Sequence, residues 1–449
     1  MIAGVSSGVG KTTITAGLMR LLTVRAGLSV GAAKVGPDFI DPGYHQIATG
    51  HRSRNLDAFL SGTTLLGPIA ARAGDGHDVL VIEGVMGLFD GALLEGAPPT
   101  STAAVAKALR APVVLVIDAA RTSTSAAAVA KGFVAFDPEV QVAGVIVNNV
   151  ASPSHAGAVR MALQDAGITV FGMVPRDPGM HFASRHLGLI PVVEDPGAVS
   201  GHLDRVAEVL ADSLDAEALL RLARSAPAMS VTDAEVERAG TRARIGLVGG
   251  AAFDFVYVDN LEALQAAGAE LVNLDPLADD GIPAGLDGLY LPGGFPEVFA
   301  GAIGERARWR ESLGRLVEQG VPTWAECGGY MLLAQSLDGV PMAGAIAARA
   351  AMTERLTLGY AEALLRRDSV LAPAGSRLRG HEFHYSAMEP PGDALALRTR
   401  SGLRTDGHLS ATLFASYLHL HLAGTPEIAQ RFVTAAARRR HHREGRRGA

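Results

Sequence analysis

The sequence predicts two α/β domains in series, each built on a mostly parallel sheet. Near-continuous apolar runs such as Val79–Glu83, Pro112–Asp118 and Val142–Val147 alternate with helical stretches in the first half. Such runs are typical of strands buried on both faces of a doubly wound sheet. The alternation stops in a polar, helix-rich stretch and resumes after it. We therefore predict a first domain over residues 1–224, a linker over 225–243, a second domain over 244–437 and a basic disordered tail over 438–449.

The individual elements follow the same periodicity in chain order. Helices are expected over Lys11–Ala26 and Ser101–Leu109, between the strands of the first domain. The second domain restarts with a strand at Arg244–Val248 and continues with Gly288–Leu291 and Val321–Ala325. Strands that alternate with helices predict parallel pairing in both domains.

Composition sets outer limits on function. The 449 residues are 48% hydrophobic and 19% charged, which excludes a disordered or fibrous chain. The net charge is −6, made of +5 in residues 438–449 and −11 in the rest, so no overall basic field predicts a nucleic-acid partner. A single cysteine excludes a disulfide framework and a cysteine-built metal site.

The location expected from the sequence is the cytoplasm. No run of 18 apolar residues predicts a membrane span, and the chain opens directly into a strand and a glycine loop without a signal peptide. That first strand, Met1–Gly4, is shorter than usual, and we expect the natural chain to begin several residues upstream.

The strongest local pattern is a phosphate-binding loop, GVSSGVGKTT over residues 4–13. Its glycines let backbone N–H groups converge on phosphate oxygens, and the helix that follows adds its dipole. The lysine can reach the β- and γ-phosphates, and the first threonine can ligate Mg²⁺. The outer glycines are six positions apart, a spacing similar to the group of partition ATPases and dethiobiotin synthetase. The predicted nucleotide-binding residues are Gly8, Gly10, Lys11, Thr12 and Thr13.

Acidic residues follow at predicted strand ends. Glu83 ends an apolar strand, the usual form of a second Mg²⁺ anchor in phosphate-loop enzymes. Asp90 lies in a loop with three glycines, and Asp38 and Asp41 lie in the stretch GPDFIDPG. For the three aspartates an ordinary turn or cap is an equally good interpretation. Asn148, at the end of another strand, could hydrogen-bond a purine edge.

The second domain carries a predicted nucleophile. Cys327 lies where a strand meets a helix, followed by two glycines, and a helix N-terminus favours thiolate. Gly294, in the segment PGGFPE, and Gly328 could offer backbone N–H groups to an oxyanion. His419 and His421 would share one face of a strand and supply the base, although either alone could be a core histidine.

This constellation resembles the class I glutamine amidotransferases. In their usual pattern a glutamate stands two residues after the catalytic histidine, and here that place holds His421, as in the cobyrinate synthase branch. Four segments of the first half resemble cobyrinic or hydrogenobyrinic acid a,c-diamide synthases, which carry the phosphate-loop domain and the amidotransferase domain in this order. They are KVGPDFIDP (34–42), NLD (55–57), EGVMGLFDG (83–91) and RHLGL (185–189).

The resemblance implies an ATP-dependent, glutamine-hydrolysing ligase of cobalamin biosynthesis that amidates the a and c acetates of a tetrapyrrole. Cys327 would attack glutamine, His419 would move the proton, and the released ammonia would pass to the first domain. Thr12, Asp38 and Glu83 would hold Mg²⁺, and Asn148 would contact adenine. Basic and acidic residues of the first domain would meet the substrate, with an ordinary surface role as the alternative. They are Lys34, Asp41, Asp90 and Arg185, with His186 as a further candidate.

Other functions remain open at this level. One is a partition-type switch ATPase with an amidotransferase-like scaffold, against which Ser6 and the cysteine–histidine pair count. Another keeps the enzyme and changes the substrate, to that of cobyric acid synthase or of a nickel-tetrapyrrole diamide synthase. No segment of the sequence is recognisable as a contact to the centre of the tetrapyrrole ring. Cobalt-containing and cobalt-free substrates are therefore equally compatible with the sequence. The resemblance also admits a homodimer.

Overall fold

A computed structural model describes residues 1–92, 94, 96–182, 184–185, 188–229, 240 and 242–447, and the side chains of 184, 185, 188 and 442–447 are not described. The chain divides into two compact units, one over Met1–Ala92 and Pro98–Thr232 and the other chiefly over Asp233–Ala449. The division falls inside the segment 225–243 predicted as the linker, much of which lies outside the described residues. No helix of the described part is long and apolar enough to span a membrane.

The first unit is a doubly wound parallel sheet, as predicted. Its seven strands run in the order β3-β2-β4-β1-β5-β6-β7, and all the pairs are parallel. The strands are β1 Ile2–Gly4, β2 Val30–Val35, β3 Arg54–Leu56, β4 Val79–Glu83, β5 Val113–Asp118, β6 Val142–Val150 and β7 Val170–Pro175, followed by a separate antiparallel pair, β8 Ser184–Arg185 and β9 Gly188–Leu189.

Helices cover this sheet and explain why its central strands are apolar throughout. β5 reads VVLVID, and its first five side chains are buried. Serine and aspartate side chains begin several helices: Ser101 accepts from the amide of Ala104, and Asp195 from that of Ala198. The helices are α1 Lys11–Val24, α2 Ile40–Thr49, α3 Leu66–Gly74, α4 Thr102–Leu109, α5 Ser125–Phe136, α6 Pro153–Asp165, α7 Pro196–Ser213 and α8 Ala216–Ala223, with 3₁₀ turns at Thr63–Leu65, Pro178–Met180 and Val192–Glu194.

The second unit contains the predicted α/β sheet and a second sheet that the sequence analysis did not predict. The first sheet runs β11-β10-β12-β13-β21-β20, parallel except for its last pair. The second is largely antiparallel and is built on two long strands, β16 and β17. The strands are β10 Ala243–Val248, β11 Ala269–Leu274, β12 Gly288–Leu291, β13 Thr323–Glu326, β14 Ser336–Leu337, β15 Val340–Pro341, β16 Arg349–Leu365, β17 Arg377–Glu389, β18 Leu395–Thr399, β19 Gly402–Asp406, β20 His408–Ser410, β21 Leu413–Ser416 and β22 His419–Leu420.

The helices of this unit are α9 Val258–Ala266, α10 Ala300–Glu305, α11 Ala307–Glu318, α12 Gly328–Leu333 and α13 Pro426–Arg447, with a 3₁₀ turn at Leu422–Gly424. The core holds Trp324 stacked on Tyr290, with ring centroids 4.1 Å apart. Phe432 of α13 packs edge-on against Trp324. The prediction of a disordered tail is wrong for 438–447, which continue this helix. Arginine favours helix nearly as well as leucine, so an arginine-rich composition does not by itself end one.

Candidate active sites

The phosphate-binding loop lies between β1 and α1, as predicted. Gly8 and Gly10 have φ of 78° and 92°, a left-handed conformation that glycine adopts without strain. No side chain caps α1, so the amides of its first turn remain available to an anion. The ammonium of Lys11 folds back over the loop and donates to the carbonyl of Ser6 at 3.1 Å. The ammonium of Lys11 and the N-terminus of α1 therefore both lie at the loop, where they can attract phosphate oxygens.

Asn148 lies against this loop. Its amide donates to the carbonyl of Val9 at 2.9 Å, and a Cβ on Gly10 would lie 2.3 Å from its Nδ2. The side chain therefore supports the loop from β6, a role that the sequence analysis did not assign. Contact with adenine stays a prediction. The next residue, Asn149, has a φ of 59° and donates to Asp118 at 2.9 Å.

Glu83 is the centre of a buried polar network at the end of β4. Its Oε1 accepts from the hydroxyl of Thr12 at 2.7 Å and from the ammonium of Lys34 at 3.0 Å. Its Oε2 lies 2.6 Å from Nε2 of His45. Burial alone would raise the pKa of Glu83, but Lys34 and His45 outweigh it and hold that pKa below its usual range. Glu83 is therefore a carboxylate.

Lys34 bridges two acids in the same network. Its Nζ lies 2.7 Å from Oδ2 of Asp41 and 3.0 Å from Glu83, and it also donates to the carbonyl of Gly84. Burial would lower the pKa of Lys34, but these carboxylates raise it above its usual value. Burial and the neighbouring Asp38 raise the pKa of Asp41. Two of the residues predicted to meet the substrate thus form a buried ion pair.

The other predicted acids have local partners. Oδ1 of Asp38 accepts from the amides of Ile40 and Asp41, which begin α2, and Oδ2 of Asp90 accepts from the amide of Gly87. One carboxylate oxygen of each aspartate thus stabilises a helix start or a turn, which is the alternative role that the sequence composition allows. Arg185 is placed in β8, but its side chain lies outside the described part of the chain, as does the whole of His186.

The residues present fit a Mg²⁺ ion of the kind that nucleotides bring with them. Among the described residues, no three histidine, cysteine or acidic side chains converge on one point. The Thr12 hydroxyl and the Glu83 carboxylate nevertheless lie 2.7 Å apart beside the loop. Mg²⁺ is often held by one or two protein groups, with water and phosphate oxygens completing its shell.

His45 is a residue of this site that the sequence analysis missed. It lies on α2, and its Nδ1 is 3.0 Å from the hydroxyl of Ser53 while its Nε2 meets Glu83. The signal in the sequence is its spacing: His45 stands four residues after Asp41, on the same face of a helix.

ATP binding is expected to take up a proton at alkaline pH. Burial and Lys34 lower the pKa of Lys11 to about 8, against the opposing effects of Glu83, Asp41 and Asp90. Phosphates next to the ammonium raise that pKa again, so at pH 9 the bound state carries about one more proton and affinity falls as the pH rises above 8. Calorimetric titration with ATP in buffers of different ionisation enthalpy measures the uptake. Lys11→Arg is the control, because a guanidinium does not titrate there. A wild-type binding enthalpy independent of buffer would contradict this assignment.

In the second unit, Cys327 lies on the sharp turn between β13 and α12. Its φ of 47° and ψ of −105° are strained for a residue with a side chain, and its amide donates to the carbonyl of Ser416. Burial, followed by the charge of Glu297, raises the pKa of Cys327 above its usual value. Burial thus opposes the thiolate that the helix N-terminus was expected to favour, whereas a hydrogen bond from the amide of Gly328 lowers this pKa. The thiol needs a base.

Glycines bring the two predicted oxyanion donors together. A Cβ on Gly328 would lie 3.0 Å from the amide nitrogen of Gly294, and one on Gly294 would lie 2.1 Å from the carbonyl of Ala252. Only glycine allows these backbones to approach so closely. The backbone of Gly328, directly after the nucleophile, therefore lies close to the amide nitrogen of Gly294.

His419 lies in β22, and its ring lies between Glu326 and the loop that contains Gly293 and Gly294. Nδ1 is 4.0 Å from Oε2 of Glu326, and a Cβ on Gly293 would lie 2.3 Å from Cε1 and 3.2 Å from Nε2. Burial, then His381 and His384, lower the pKa of His419 well below its usual value. A neutral imidazole can accept a proton. His421 follows the strand and meets a different acid, because its Nε2 lies 3.7 Å from Oδ2 of Asp259.

Gly293→Ala is expected to lower the kcat of glutamine hydrolysis by about 10²-fold, because the new methyl group would displace His419 from its place. The control is Gly301→Ala in α10, where a Cβ has open space around it. Glutamate release measures the effect, and ammonia-supported amidation should be unchanged in both variants. Equal glutaminase rates for the two variants would show that the position of His419 is not limiting.

Comparison with known proteins assigns a domain family to each half of the chain. Residues 1–189 match the CobQ/CobB/MinD/ParA nucleotide binding domain, and residues 244–427 match the CobB/CobQ-like glutamine amidotransferase domain. A hydrogenobyrinate a,c-diamide synthase from Streptomyces coelicolor is 45% identical over 96% of both chains. The chain belongs to the cobyrinate and hydrogenobyrinate a,c-diamide synthase family. The resemblance drawn from the motifs is therefore confirmed, and so are the fold class and the class of enzyme, an amide-forming ligase.

Two other members of this a,c-diamide synthase family show its range. The hydrogenobyrinate a,c-diamide synthase of Thermobifida fusca is 42% identical, over 98% of this chain and 97% of the relative. The cobyrinate a,c-diamide synthase of Picrophilus torridus is 38% identical, over 96% and 97%. Both kinds of substrate name thus occur among similar full-length relatives.

Proposed function

We propose that this chain converts the a and c acetate carboxylates of hydrogenobyrinic acid to amides, in two cycles that each consume ATP and glutamine. The observation that carries the proposal is that one chain of this synthase family holds a phosphate loop and, in its second unit, a buried cysteine and a buried histidine beside the same glycine pair, Gly293 and Gly294. We favour the cobalt-free substrate because the relatives at 41–45% identity bear its name, whereas those at 38–39% are named for cobyrinate.

The second unit would release ammonia. Sγ of Cys327 attacks the side-chain amide carbon of glutamine while His419 takes the thiol proton. The amides of Gly294 and Gly328 hold the oxyanion. His419 then gives the proton to the leaving nitrogen, so that ammonia departs and a thioester remains. Water, with His419 again as base, hydrolyses the thioester to glutamate and restores the thiol.

The first unit would use that ammonia. A substrate carboxylate takes the γ-phosphoryl group of ATP to give an acyl phosphate and ADP, and ammonia then displaces phosphate to leave the amide. The loop amides and Lys11 bind the phosphates. Thr12, Glu83 and Asp38 would hold Mg²⁺, which would supply charge neutralisation on the phosphates. The predicted substrate contacts remain Lys34, Asp41, Asp90 and Arg185.

The setting of this reaction follows from its cosubstrates. ATP and glutamine are cytoplasmic metabolites, so we propose that the enzyme acts in the cytoplasm on a small-molecule substrate, without a nucleic-acid partner. A homodimer is the assembly to test by light scattering.

A mass-resolved assay tests the proposal. Hydrogenobyrinic acid and cobyrinic acid are each incubated with the protein, glutamine and ATP·Mg²⁺. Two exchanges of acid for amide on hydrogenobyrinic acid are expected. Preference for cobyrinic acid would correct only the metal state, whereas four exchanges on an a,c-diamide would make the chain a cobyric acid synthase. ATP hydrolysis without any amide product would instead favour a switch ATPase.

A further inference from the structure

We propose that Glu326, the residue directly before the nucleophile, is the positioning acid for His419 and takes the part of the glutamate that usually stands two residues after the histidine. This inference rests on the glutaminase step of the proposed function. It is based on the acids that lie beside His419 and His421. Neither family membership nor the motifs assign a role to these acids.

The contacts of Glu326 place it against the histidine on two sides. Its Oε2 lies 4.0 Å from Nδ1 of His419, and its Oε1 accepts from the backbone amide of Leu420 at 2.8 Å, the residue that follows the histidine. The carboxyl group therefore holds both the ring and the strand that carries it. At 4.0 Å the carboxyl group acts on the ring through its charge rather than through a hydrogen bond.

Other residues fix Glu326 itself. The indole of Trp324 donates to Oε1 at 3.1 Å, and the hydroxyl of Tyr290 lies 3.1 Å from Oε2. Glu326 is 1% exposed, so its rotamer is set by packing and by these donors. A side chain constrained in this way can hold a partner within the narrow geometry that proton transfer requires.

This placement selects the useful tautomer of His419. A carboxylate that faces Nδ1 keeps the proton on that nitrogen and leaves Nε2 to accept one. The Cε1–Nε2 edge is the one that faces Gly293, next to the predicted oxyanion loop. Nε2 is therefore directed to the side of the site where the thiol proton must be taken.

His421 does not offer the same arrangement. It stands where the usual pattern has its glutamate, but its neighbours are Asp259 and the ring of Tyr257. A histidine side chain there cannot carry the negative charge of a carboxylate, whereas Glu326 can. Each of these two histidines thus has an acid beside it, and only the pair of Glu326 and His419 includes the predicted base.

The titration of this pair depends on several groups. Burial raises the pKa of Glu326 to about 8, against the donors from Leu420, Tyr290 and Trp324. His419 also faces His381 and His384, which lower its pKa. Glu326 becomes a carboxylate as the pH rises through 8, so kcat/KM for glutamine should rise there in the wild-type enzyme.

The test compares Glu326→Gln with Asp259→Asn, each of which removes the charge beside one histidine. We expect Glu326→Gln to lower kcat for glutamine hydrolysis by about 10²-fold, with little change in KM and without the rise in kcat/KM near pH 8. Asp259→Asn should stay within about threefold of wild type. Glu326→Asp, which keeps the charge, should recover part of the rate and the pH-dependent rise.

Several outcomes are decisive. Glu326→Gln with the wild-type rate and pH profile overturns the inference. Ammonia-supported amidation and the melting temperature show whether each variant is folded. If Glu326→Gln does not fold, Glu326→Asp with an unaltered rate and profile would also overturn it. A wild-type protein that releases no glutamate would instead overturn the proposed function.

Discussion

Cys327→Ala is expected to lower glutamine-dependent amidation by about 10⁴-fold or more while leaving ammonia-dependent amidation intact. The thiol is the group that forms the thioester, and no other cysteine exists in the chain to replace it. Ammonium at alkaline pH bypasses that step, because the acyl phosphate is attacked by ammonia from any source. The measurement is amide product by mass spectrometry with each nitrogen source.

The control for this variant is conservative and local. Ser336→Ala changes a half-buried hydroxyl in β14 of the same unit and should keep both activities. Cys327→Ala with unchanged glutamine use would remove the nucleophile from this mechanism. Loss of both activities would show instead that the first unit depends on the structure around the cysteine.

Lys11→Ala should lower amidation by about 10²–10³-fold with either nitrogen source, because the loop loses the cation that meets the transferred phosphoryl group. Glutamine hydrolysis measured without ATP should persist, since the second unit carries that chemistry. The two variants are thus expected to give opposite patterns, one sensitive to the nitrogen source and one not.

Lys131→Ala is the matched control. Lys131 lies on α5, and its ammonium makes an exposed contact with the carbonyl of Ala166 rather than with the loop. It should keep the wild-type rate. Lys11→Ala that still amidates with ammonia at that rate would exclude the phosphate loop as the ATP site.

The sequence predicted those parts of the molecule that are encoded locally. The phosphate loop and the turn at Cys327 each combine a strand, a glycine turn and a helix in a short stretch of chain, and the strand ending in Glu83 is a single apolar run. Each forms as expected. Their boundaries agree to within a few residues. Local patterns predict these sites because each reactive residue lies within the segment whose pattern is recognised.

Long-range register accounts for what was missed. The antiparallel pair β16 and β17 has partly exposed strands that alternate rather than run apolar. The pairing of β17 with β22 sets His381 opposite His419. Glu326 meets His419 only because β13 and β21 are neighbours in the sheet. His45 reaches Glu83 across 38 positions of sequence. Such contacts depend on how distant segments are arranged, which a single sequence does not encode in any local pattern.

The left-handed backbone of Cys327 affects the stability of the chain. A side chain held at a φ of 47° costs about 1–3 kcal/mol of folding free energy, which glycine at the same position would not incur. Drift that favoured stability alone would therefore replace this cysteine. The backbone strain thus lies at the predicted nucleophile, a residue that chemical reactivity explains and stability does not.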